Sequence, residues 1–309
     1  MAKKSIFILT FLICFLWSCQ PEITWHSSTL LFFDTVCEVR LHCSSSQFDR
    51  AQSLLHDWFS KMEHSFSPDS QEFCSPHTLY LYQRGLEIHR KTHGYFDVTV
   101  GPLLQAWGFY KKSYRVPDPK EIEAALTRVG MEKVQVKENC LELPSGMKLD
   151  WGSIAKGYGI DLVSHRLIKE GISRGFLNAG GDIYCWGNNP QNKAWRIGIQ
   201  HPREKGYLGV LSISDLAAAT TGDYQRYFKK EGIRYHHVFN PHTGYPARGK
   251  MSVTVIGPET LLCDALSTAL FVSQKPQQIL EEYSQYGAIL VDSKGNLHRL
   301  GNSYPFQPD

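Results

Sequence analysis

Apolar positions divide the chain into segments with helical and segments with strand-like spacing. Phe48, Ala51, Leu55, Phe59 and Met62 recur every three or four residues, which predicts a helix with one buried face. Similar patterns predict helices over residues 78–91, 154–170, 259–272 and 277–286. Short apolar runs predict strands over residues 30–42, 176–178, 194–199, 207–213, 217–220, 235–239, 252–256, 288–291 and 297–300.

Turn and capping residues add two elements to this pattern. Asp118, Pro119 and Glu121 form a helix start, with a capping residue, a proline in the first turn and a glutamate three residues after the cap. Residues 134–136 and 141–143 predict a hairpin. Because helices and strands do not alternate strictly, the order favours an α+β fold in one compact unit over a doubly wound sheet.

The N-terminus has the features of an export signal. Lys3 and Lys4 precede an apolar run over residues 6–16, which is too short for a comfortable membrane span. The segment ending in Ser18 and Cys19 resembles the lipobox of bacterial lipoproteins. This resemblance implies a signal peptide over residues 1–18, lipidation of Cys19 and a short tether over residues 19–28. An ordinary signal peptide or an uncleaved anchor are the alternatives, and both also export the chain.

The charge and cysteine content of the chain argue against a nucleic-acid partner and against a zinc site. The chain has 33 basic and 30 acidic residues, and no basic stripe stands out, which argues against a nucleic-acid partner. The eight cysteines include no CxxC pair, so a zinc site is not indicated. The spacing leaves open which cysteines form disulfides and which are buried thiols. The polar, proline-containing residues 302–309 predict a loose tail.

Three histidines cluster where a predicted strand enters a turn. His236 and His237 are adjacent, so their side chains point to opposite faces of the strand, and His242 follows in the Asn-Pro-His-Thr-Gly turn. Histidine suits proton transfer near neutral pH, so one face can carry a reacting group while the other packs. The alternatives are a structural histidine or a surface loop with some affinity for metals.

Four other segments have a chemical and a structural interpretation. Asp97 stands among aromatic residues that suit a flat heterocycle, or it caps a turn. The glycine-punctuated helix start at 148–161 can cradle a phosphate, or it packs closely on a strand. The glycines of residues 178–183 and 220–224 allow backbone to approach a ligand, or they form turns.

Asp264 and Thr268 are four residues apart in a predicted helix and therefore lie on one face. A carboxylate and a hydroxyl offer hard oxygen ligands to Mg²⁺. The alternative is that Thr268 bonds back to a helix carbonyl while Asp264 is solvated.

Together these segments resemble the ApbE family of FAD:protein FMN transferases. The resemblance extends from about residue 29 to residue 291, and we take 29–301 as the domain. It rests on the motifs GYFDVTVGPL, LDWGSIAKGYGID, NAGGDI, ATTGDYQRY, YHHVFNPHTGYPA and DALSTAL. It implies a compact, T-fold-like unit.

The resemblance also implies roles for individual residues. The metal ligands would be the carbonyl of Ala155 and the side chains of Asp264 and Thr268. His237 would contact the nucleotide or act as the base. The other implied contacts to the flavin nucleotide are Phe33, Tyr95, Phe96, Asp97, Tyr158 and Asp161. In two places the chain departs from the family pattern, at Phe33-Asp34-Thr35 and at Ser70-Gln71-Glu72, and no role is assigned to the second.

The implied activity is Mg²⁺-dependent transfer of FMN from FAD to a threonine hydroxyl of a target protein, with release of AMP. Implied targets are exported flavoproteins, such as subunits of a sodium-pumping NADH:quinone reductase. The implied location is the periplasmic side of the cell inner membrane, through a lipid anchor. The alternatives are an FAD pyrophosphatase, in which water attacks in place of the threonine, and a non-catalytic flavin-binding lipoprotein.

Overall fold

The computed structural model describes residues 22–32, 35–67, 69–70 and 72–309. Its strands are β1 Thr24–Phe32, β2 Thr35–Cys43, β3 Gln135–Lys137, β4 Cys140–Glu142, β5 Gly175–Ala179, β6 Asp182–Trp186, β7 Trp195–Gln200, β8 Tyr207–Ile213, β9 Leu216–Gly222, β10 Tyr227–Lys230, β11 Ile233–His236, β12 Lys250–Gly257, β13 Gly287–Asp292, β14 Leu297–Gly301 and β15 Phe306–Pro308. Its helices are α1 Ser45–Ser65, α2 Pro76–Lys91, α3 Gly101–Ala106, α4 Pro119–Leu126, α5 Ala155–Lys169, α6 Thr260–Val272 and α7 Pro276–Glu281. A 3-10 helix spans Met131–Lys133.

An eight-stranded antiparallel sheet organises the molecule, in the order β1-β2-β5-β6-β9-β12-β13-β14. Successive residues of each strand point to opposite faces. On β12, Val253 and Val255 pack beneath α6, whereas Ile256 packs with the three-stranded sheet β15-β8-β7 on the other face. The α+β class predicted from the sequence is confirmed: helices cover one face and a small sheet covers the other.

Helices α1, α5 and α6 lie on the face that carries the candidate site. The start of α1 is fixed by a reciprocal cap in which the Gln47 amide donates to Ser44 Oγ and the Ser44 amide donates to the Gln47 side chain. At the start of α4 the Asp118 amide donates to the Glu121 carboxylate at 2.9 Å, as the sequence predicts. These caps satisfy amides that a helix start otherwise leaves unpaired.

The structure corrects the ends of the predicted domain. Residues 24–28, predicted as part of a tether, belong to β1, which pairs with β2 along its whole length. Residues 30–42 were predicted as one strand, but residues 30–32 belong to β1 and residues 35–42 to its antiparallel partner β2. The tail also is not loose, because Phe306 is buried and β15 pairs with β8. A buried aromatic ring and backbone hydrogen bonds outweigh the polar composition of this segment.

The predicted signal peptide and Cys19 lie outside the described residues. Among the helices that the structure describes, none combines the length and apolar character needed to cross a membrane. The lipid anchor stays a prediction.

A disulfide joins Cys74, just before α2, to Cys140 of β4, 66 residues later. It ties the loop after α1 to the β3–β4 hairpin, and the Leu141 amide donates to the Phe73 carbonyl beside it. This loop and residues 143–151 line a cavity of about 390 Å³. Cys37, Cys43, Cys185 and Cys263 are buried free thiols. The pairing that the sequence leaves open is thus settled for Cys74 and Cys140.

We expect the double variant Cys74→Ser/Cys140→Ser to unfold more easily than the parent chain. Closing a loop of this length restricts the unfolded ensemble by roughly 4 kcal/mol, and measured losses for native disulfides are about 2–5 kcal/mol. Denaturant unfolding with and without a reductant measures the difference. Reductant should lower the free energy of unfolding of the parent chain and leave that of the double variant unchanged. An equal response in both proteins would contradict the expectation.

Candidate active site

The start of α5 packs against the start of α6, and two α5 residues make this possible. A Cβ atom at Gly157 would lie 2.5 Å from the Thr260 carbonyl oxygen, so only glycine allows this approach. One turn later, Asp161 accepts hydrogen bonds from the amides of Thr260 and Leu261 at 2.9 and 2.8 Å. Asp161 therefore caps α6 from a neighbouring helix, and the nucleotide contact that the resemblance implies for it stays a prediction.

Replacing Asp161 with alanine should destabilise the fold by about 2–4 kcal/mol, because two buried amides lose their acceptor. Thermal or denaturant unfolding measures this loss. Glu170→Ala is the matched control, since that exposed carboxylate ends the same helix in an i,i+4 pair with Arg166. The control should cost less than about 1 kcal/mol. Equal losses in the two variants would remove the special role of Asp161.

Two buried carboxylates meet one lysine beneath this helix junction. Lys156 Nζ lies 2.9 Å from Asp182 Oδ2 on β6 and 3.6 Å from Asp264 Oδ2 on α6. The Gly157 amide also donates to Asp264 Oδ2 at 3.2 Å. Lys156 Nζ donates in addition to the Gly152 carbonyl at 3.0 Å. Strands and helices distant in sequence thus bring two negative groups and one positive group together.

The charges in this cluster perturb one another. Burial raises the pKa of Asp264, and repulsion from Asp182 raises it further, although Lys156 and the Gly157 amide oppose both effects. Burial lowers the pKa of Lys156, but attraction to Asp182 and Asp264 outweighs it, so that pKa is raised overall. Two carboxylates share one lysine, so the buried cluster has an excess of negative charge. A further cation would reduce the repulsion between Asp182 and Asp264.

Hydroxyl groups extend the set of oxygen atoms along α6. Thr268 is half-buried, and its Oγ1 lies 3.1 Å from Thr221 Oγ1 on β9, which in turn lies 2.7 Å from Ser267 Oγ. Within the described residues there is no group of three or more His, Cys, Asp or Glu side chains suited to a metal ion. Mg²⁺ commonly takes only one or two carboxylates and fills its remaining positions with water and phosphate oxygens. The oxygen atoms of Asp264 and Thr268, with Asp182 nearby, fit such an ion.

His237 follows directly after β11, at the base of the β10–β11 hairpin. Its amide and its Nδ1 both approach the Arg226 carbonyl, at 3.1 and 3.2 Å. A carbonyl oxygen only accepts, so Nδ1 carries the hydrogen in this bond and Nε2 keeps a free electron pair in the neutral ring. Burial lowers the pKa of His237 to about 3, and the charges of Arg226 and, more weakly, Lys156 add to the effect. The ring is therefore neutral at physiological pH.

The neighbouring histidines have structural surroundings. His236 is buried, its Nε2 hydrogen-bonds the Ala247 carbonyl at 2.8 Å, and its ring meets Phe271 edge-on. His242 is exposed in the turn, where its Nε2 bonds the His93 carbonyl and its ring packs on Tyr95. The two adjacent histidines therefore have different surroundings, as the alternation of a strand predicts.

The aromatic segment before α3 is mostly core. Phe96 is fully buried beneath α2, and Asp97 Oδ1 accepts from the Thr99 amide at 2.7 Å. Asp97 is thus the turn-capping residue of the structural alternative, with His89 Nδ1 3.5 Å from its other oxygen. Tyr95 remains half-exposed beside His242. In this structure the side chains of Phe96 and Asp97 serve packing and capping, and the flavin contacts that the resemblance implies for them stay a prediction.

Tyr158 has structural contacts of its own, and the nucleotide contact that the resemblance implies for it stays a prediction. Its hydroxyl lies 2.6 Å from His77 Nδ1, and its ring stacks on the exposed ring of Tyr80. It belongs to the packing between α2 and α5. Phe33 lies outside the described residues, but the next described residue, Thr35, lies against the turn of Gly180 before Asp182. Thr35, the last residue of the predicted segment, thus lies at the glycine turn.

Known proteins are similar to this chain over most of its length. A sequence profile of the ApbE family matches residues 33–290. The chain belongs to the ApbE family. A relative from Klebsiella pneumoniae named FAD:protein FMN transferase is 32% identical over 84% of this chain and 78% of its own length. A Vibrio cholerae protein of the same name is 35% identical over 76% of this chain and 72% of its own.

Solved ApbE structures have the same fold. The ApbE protein of Thermotoga maritima superimposes with a TM-score of 0.83 at 29% identity, covering 90% of this chain and 97% of its own. The Pseudomonas stutzeri flavinyl transferase ApbE, in its apo form, gives 0.79 at 26% identity, covering 91% and 95% of the two chains. The ApbE-like fold expected from the sequence motifs is therefore confirmed.

Two site residues had no assigned role in the sequence-based prediction. Lys156 and Asp182 lie in motifs that carried the resemblance, LDWGSIAKGYGID and NAGGDI, but these are separated by a helix and a strand. Their pairing depends on how α5 lies over β6, which spacing does not reveal. The position of Lys156 directly after the predicted ligand Ala155 was the signal in the sequence that could have indicated a role for this lysine.

Proposed function

We propose that this chain transfers FMN from FAD to a threonine hydroxyl of an exported protein and releases AMP. The observation that carries the proposal is the buried cluster of Asp264, Asp182 and Lys156 where α5 meets α6, with the Thr268 hydroxyl on the same helix as Asp264. The neutral His237 ring adds a proton acceptor. Such a site can bind a metal–diphosphate complex and accept a proton. Family membership and relatives named FAD:protein FMN transferase support the same activity.

Asp264 and Thr268, with the Ala155 carbonyl, would hold Mg²⁺ in this proposal. When bound, the ion would neutralise charge on the diphosphate of FAD and make its phosphorus more electrophilic. Lys156 would stabilise the same negative charge from the side of Asp182. The raised pKa of Asp264 supports this assignment, since the buried carboxylate gains most from a further cation.

His237 would accept the proton of the acceptor threonine at Nε2. The threonine oxygen forms a bond to the FMN phosphorus, the bond from that phosphorus to the bridging oxygen breaks, and AMP leaves with the electron pair. The hydrogen bond from Nδ1 to the Arg226 carbonyl fixes the ring so that Nε2 is the accepting atom. The same carbonyl stabilises the imidazolium that forms.

We further propose that the enzyme is lipid-anchored through Cys19 at the inner membrane and acts in the periplasm. The Cys74–Cys140 disulfide supports an oxidising compartment. Its acceptors would then be exported flavoproteins, for which a subunit of a sodium-pumping NADH:quinone reductase is a suitable candidate.

Mixing the protein with FAD, Mg²⁺ and such an acceptor tests the activity. Covalent flavin fluorescence on the acceptor in a denaturing gel supports the transferase. Free FMN and AMP without a labelled acceptor indicate an FAD pyrophosphatase at the same site. FAD that stays intact while bound indicates a flavin-binding lipoprotein without catalysis.

A further inference from the structure

Two surface segments close to His237 are unusually basic for this chain. The segments 110–114 and 226–234 contain six basic residues and one acidic residue, Glu231, whereas the whole chain has a net charge of only +3. The basic residues are Lys111, Lys112, Arg226, Lys229, Lys230 and Arg234. Arg234 is paired with Asp223 at 3.2 Å, and the other five are exposed. The pair Lys111 and Lys112 and the pair Lys229 and Lys230 each carry a charge of +2, compared with a net charge of +3 for the whole chain.

Aromatic contacts hold the two segments together. Tyr114 stacks on Phe228 of β10 with ring centroids 5.5 Å apart, and Phe109 packs on both rings. The lysines 111 and 112 lie between these anchored aromatic positions. We call the exposed residues Lys111, Lys112, Tyr227, Lys229 and Lys230 the basic patch. Lys230, on the same face of β10 as Phe228, and the neighbouring Lys111 and Lys112 are thus carried on a packed support, whereas Tyr227 and Lys229 lie on the opposite face of the strand.

The basic patch and the proton acceptor share one structural element. The β10–β11 hairpin turns at Glu231-Gly232, and its base is closed by the hydrogen bonds from His237 to the Arg226 carbonyl. Phe109, which supports the patch, lies 6.4 Å from the His237 ring. A peptide chain bound along the hairpin is therefore brought to His237. A surface that served only to attract the protein to lipid would not need to lie beside His237.

We propose that the basic patch binds the segment of the acceptor protein around its threonine, and that this segment carries acidic side chains. The inference rests on the proposed function, because the acceptor is the second substrate of that reaction. Opposite charges would steer the segment to the hairpin and fix its position, while the exposed Tyr227 ring supplies apolar contact. The hairpin would then select acceptors before the chemical step at the α6 site.

Two labelled peptides test the proposal on the full chain. Both have one threonine and the same length, and one has aspartate and glutamate where the other has asparagine and glutamine. Fluorescence anisotropy at low salt should show the acidic peptide binding about tenfold more tightly, with the difference shrinking as salt screens the charges. Lys229→Glu/Lys230→Glu should abolish the preference. The control Lys169→Glu/Lys294→Glu, which reverses two exposed lysines on other elements, should retain it.

Three results would overturn the inference: equal binding of the two peptides, an equal loss in the control variant, or retention of the preference in Lys229→Glu/Lys230→Glu. Vesicles containing anionic phospholipid provide a further arm. Vesicle binding that depends on Lys229 and Lys230, without discrimination between peptides, would assign the patch to a membrane surface.

Mass measurement of FMN on the peptides reports on the proposed function separately. Attachment at equal rates to both contradicts the patch assignment alone, whereas charge-dependent binding without attachment to any acceptor contradicts the transferase.

Discussion

Replacing His237 with alanine should slow FMN transfer by about 10²–10⁴-fold, the usual cost of removing a general base. The threonine hydroxyl would then lack a neighbouring acceptor for its proton. FAD binding should remain measurable, because the oxygen ligands on α6 and Lys156 are unchanged. Single-turnover transfer to a protein acceptor, together with FAD titration, separates the two effects.

Added imidazole sharpens this test. A small base that enters the space left by the side chain should restore part of the transfer rate of His237→Ala, which a purely structural role would not allow. His242→Ala is the matched control, since that exposed histidine lies in the same motif, in the turn. Normal transfer by His237→Ala, or an equal loss in the control, would rule out the assignment of His237 as the base.

Replacing Asp264 with asparagine should raise the Mg²⁺ concentration needed for transfer by at least about tenfold, since a charged ligand becomes a neutral one. At saturating FAD, the rate as a function of Mg²⁺ measures the shift. Asp215→Asn is a suitable control, because that exposed carboxylate only accepts a hydrogen bond from the Gly187 amide at a distant turn. An unchanged Mg²⁺ dependence in Asp264→Asn would remove Asp264 from the metal site.

The same variant should be more stable than the parent chain when metal is absent. Burial and Asp182 raise the pKa of Asp264, so at neutral pH its negative charge opposes folding. Asparagine removes that charge and leaves Lys156 paired with Asp182. Thermal unfolding with a chelator measures the change. Lower activity together with higher stability is the pattern expected of a site selected for function, and a large loss of stability would contradict this account of the cluster.

The sequence predicts local elements well where spacing and caps determine them. Strand β8 at Tyr207–Ile213 and helix α5 at Ala155–Lys169 lie where the apolar pattern places them, within a residue. Strand β6, Asp182–Trp186, was missed although residues 183–186 are all apolar, because the glycines before it were interpreted as a turn or as an approach to a ligand. Strand β15 was missed because pairing with β8 and the burial of Phe306 are tertiary effects.

In the candidate site, too, the sequence predicts what local spacing determines but not what tertiary contacts determine. The pattern correctly places Asp264 and Thr268 on one helix face and separates His236 from His237. It could not show that Asp161 faces the amides of α6, or that Asp97 faces the Thr99 amide. Each is a single buried carboxylate whose partner is chosen by the fold. The same motif can therefore contain residues suited to chemistry and residues that stabilise the fold, and their hydrogen bonds help to distinguish the two.

The intact mass of a co-expressed acceptor protein tests the central claim most directly. The acceptor is produced with the parent chain in two versions, one with its acceptor threonine and one with valine at that position. We predict a mass gain of one FMN less one water on the threonine version alone, and a much smaller labelled fraction of that version when His237→Ala replaces the parent chain. An unmodified threonine acceptor, with FMN and AMP accumulating in solution, would contradict the account.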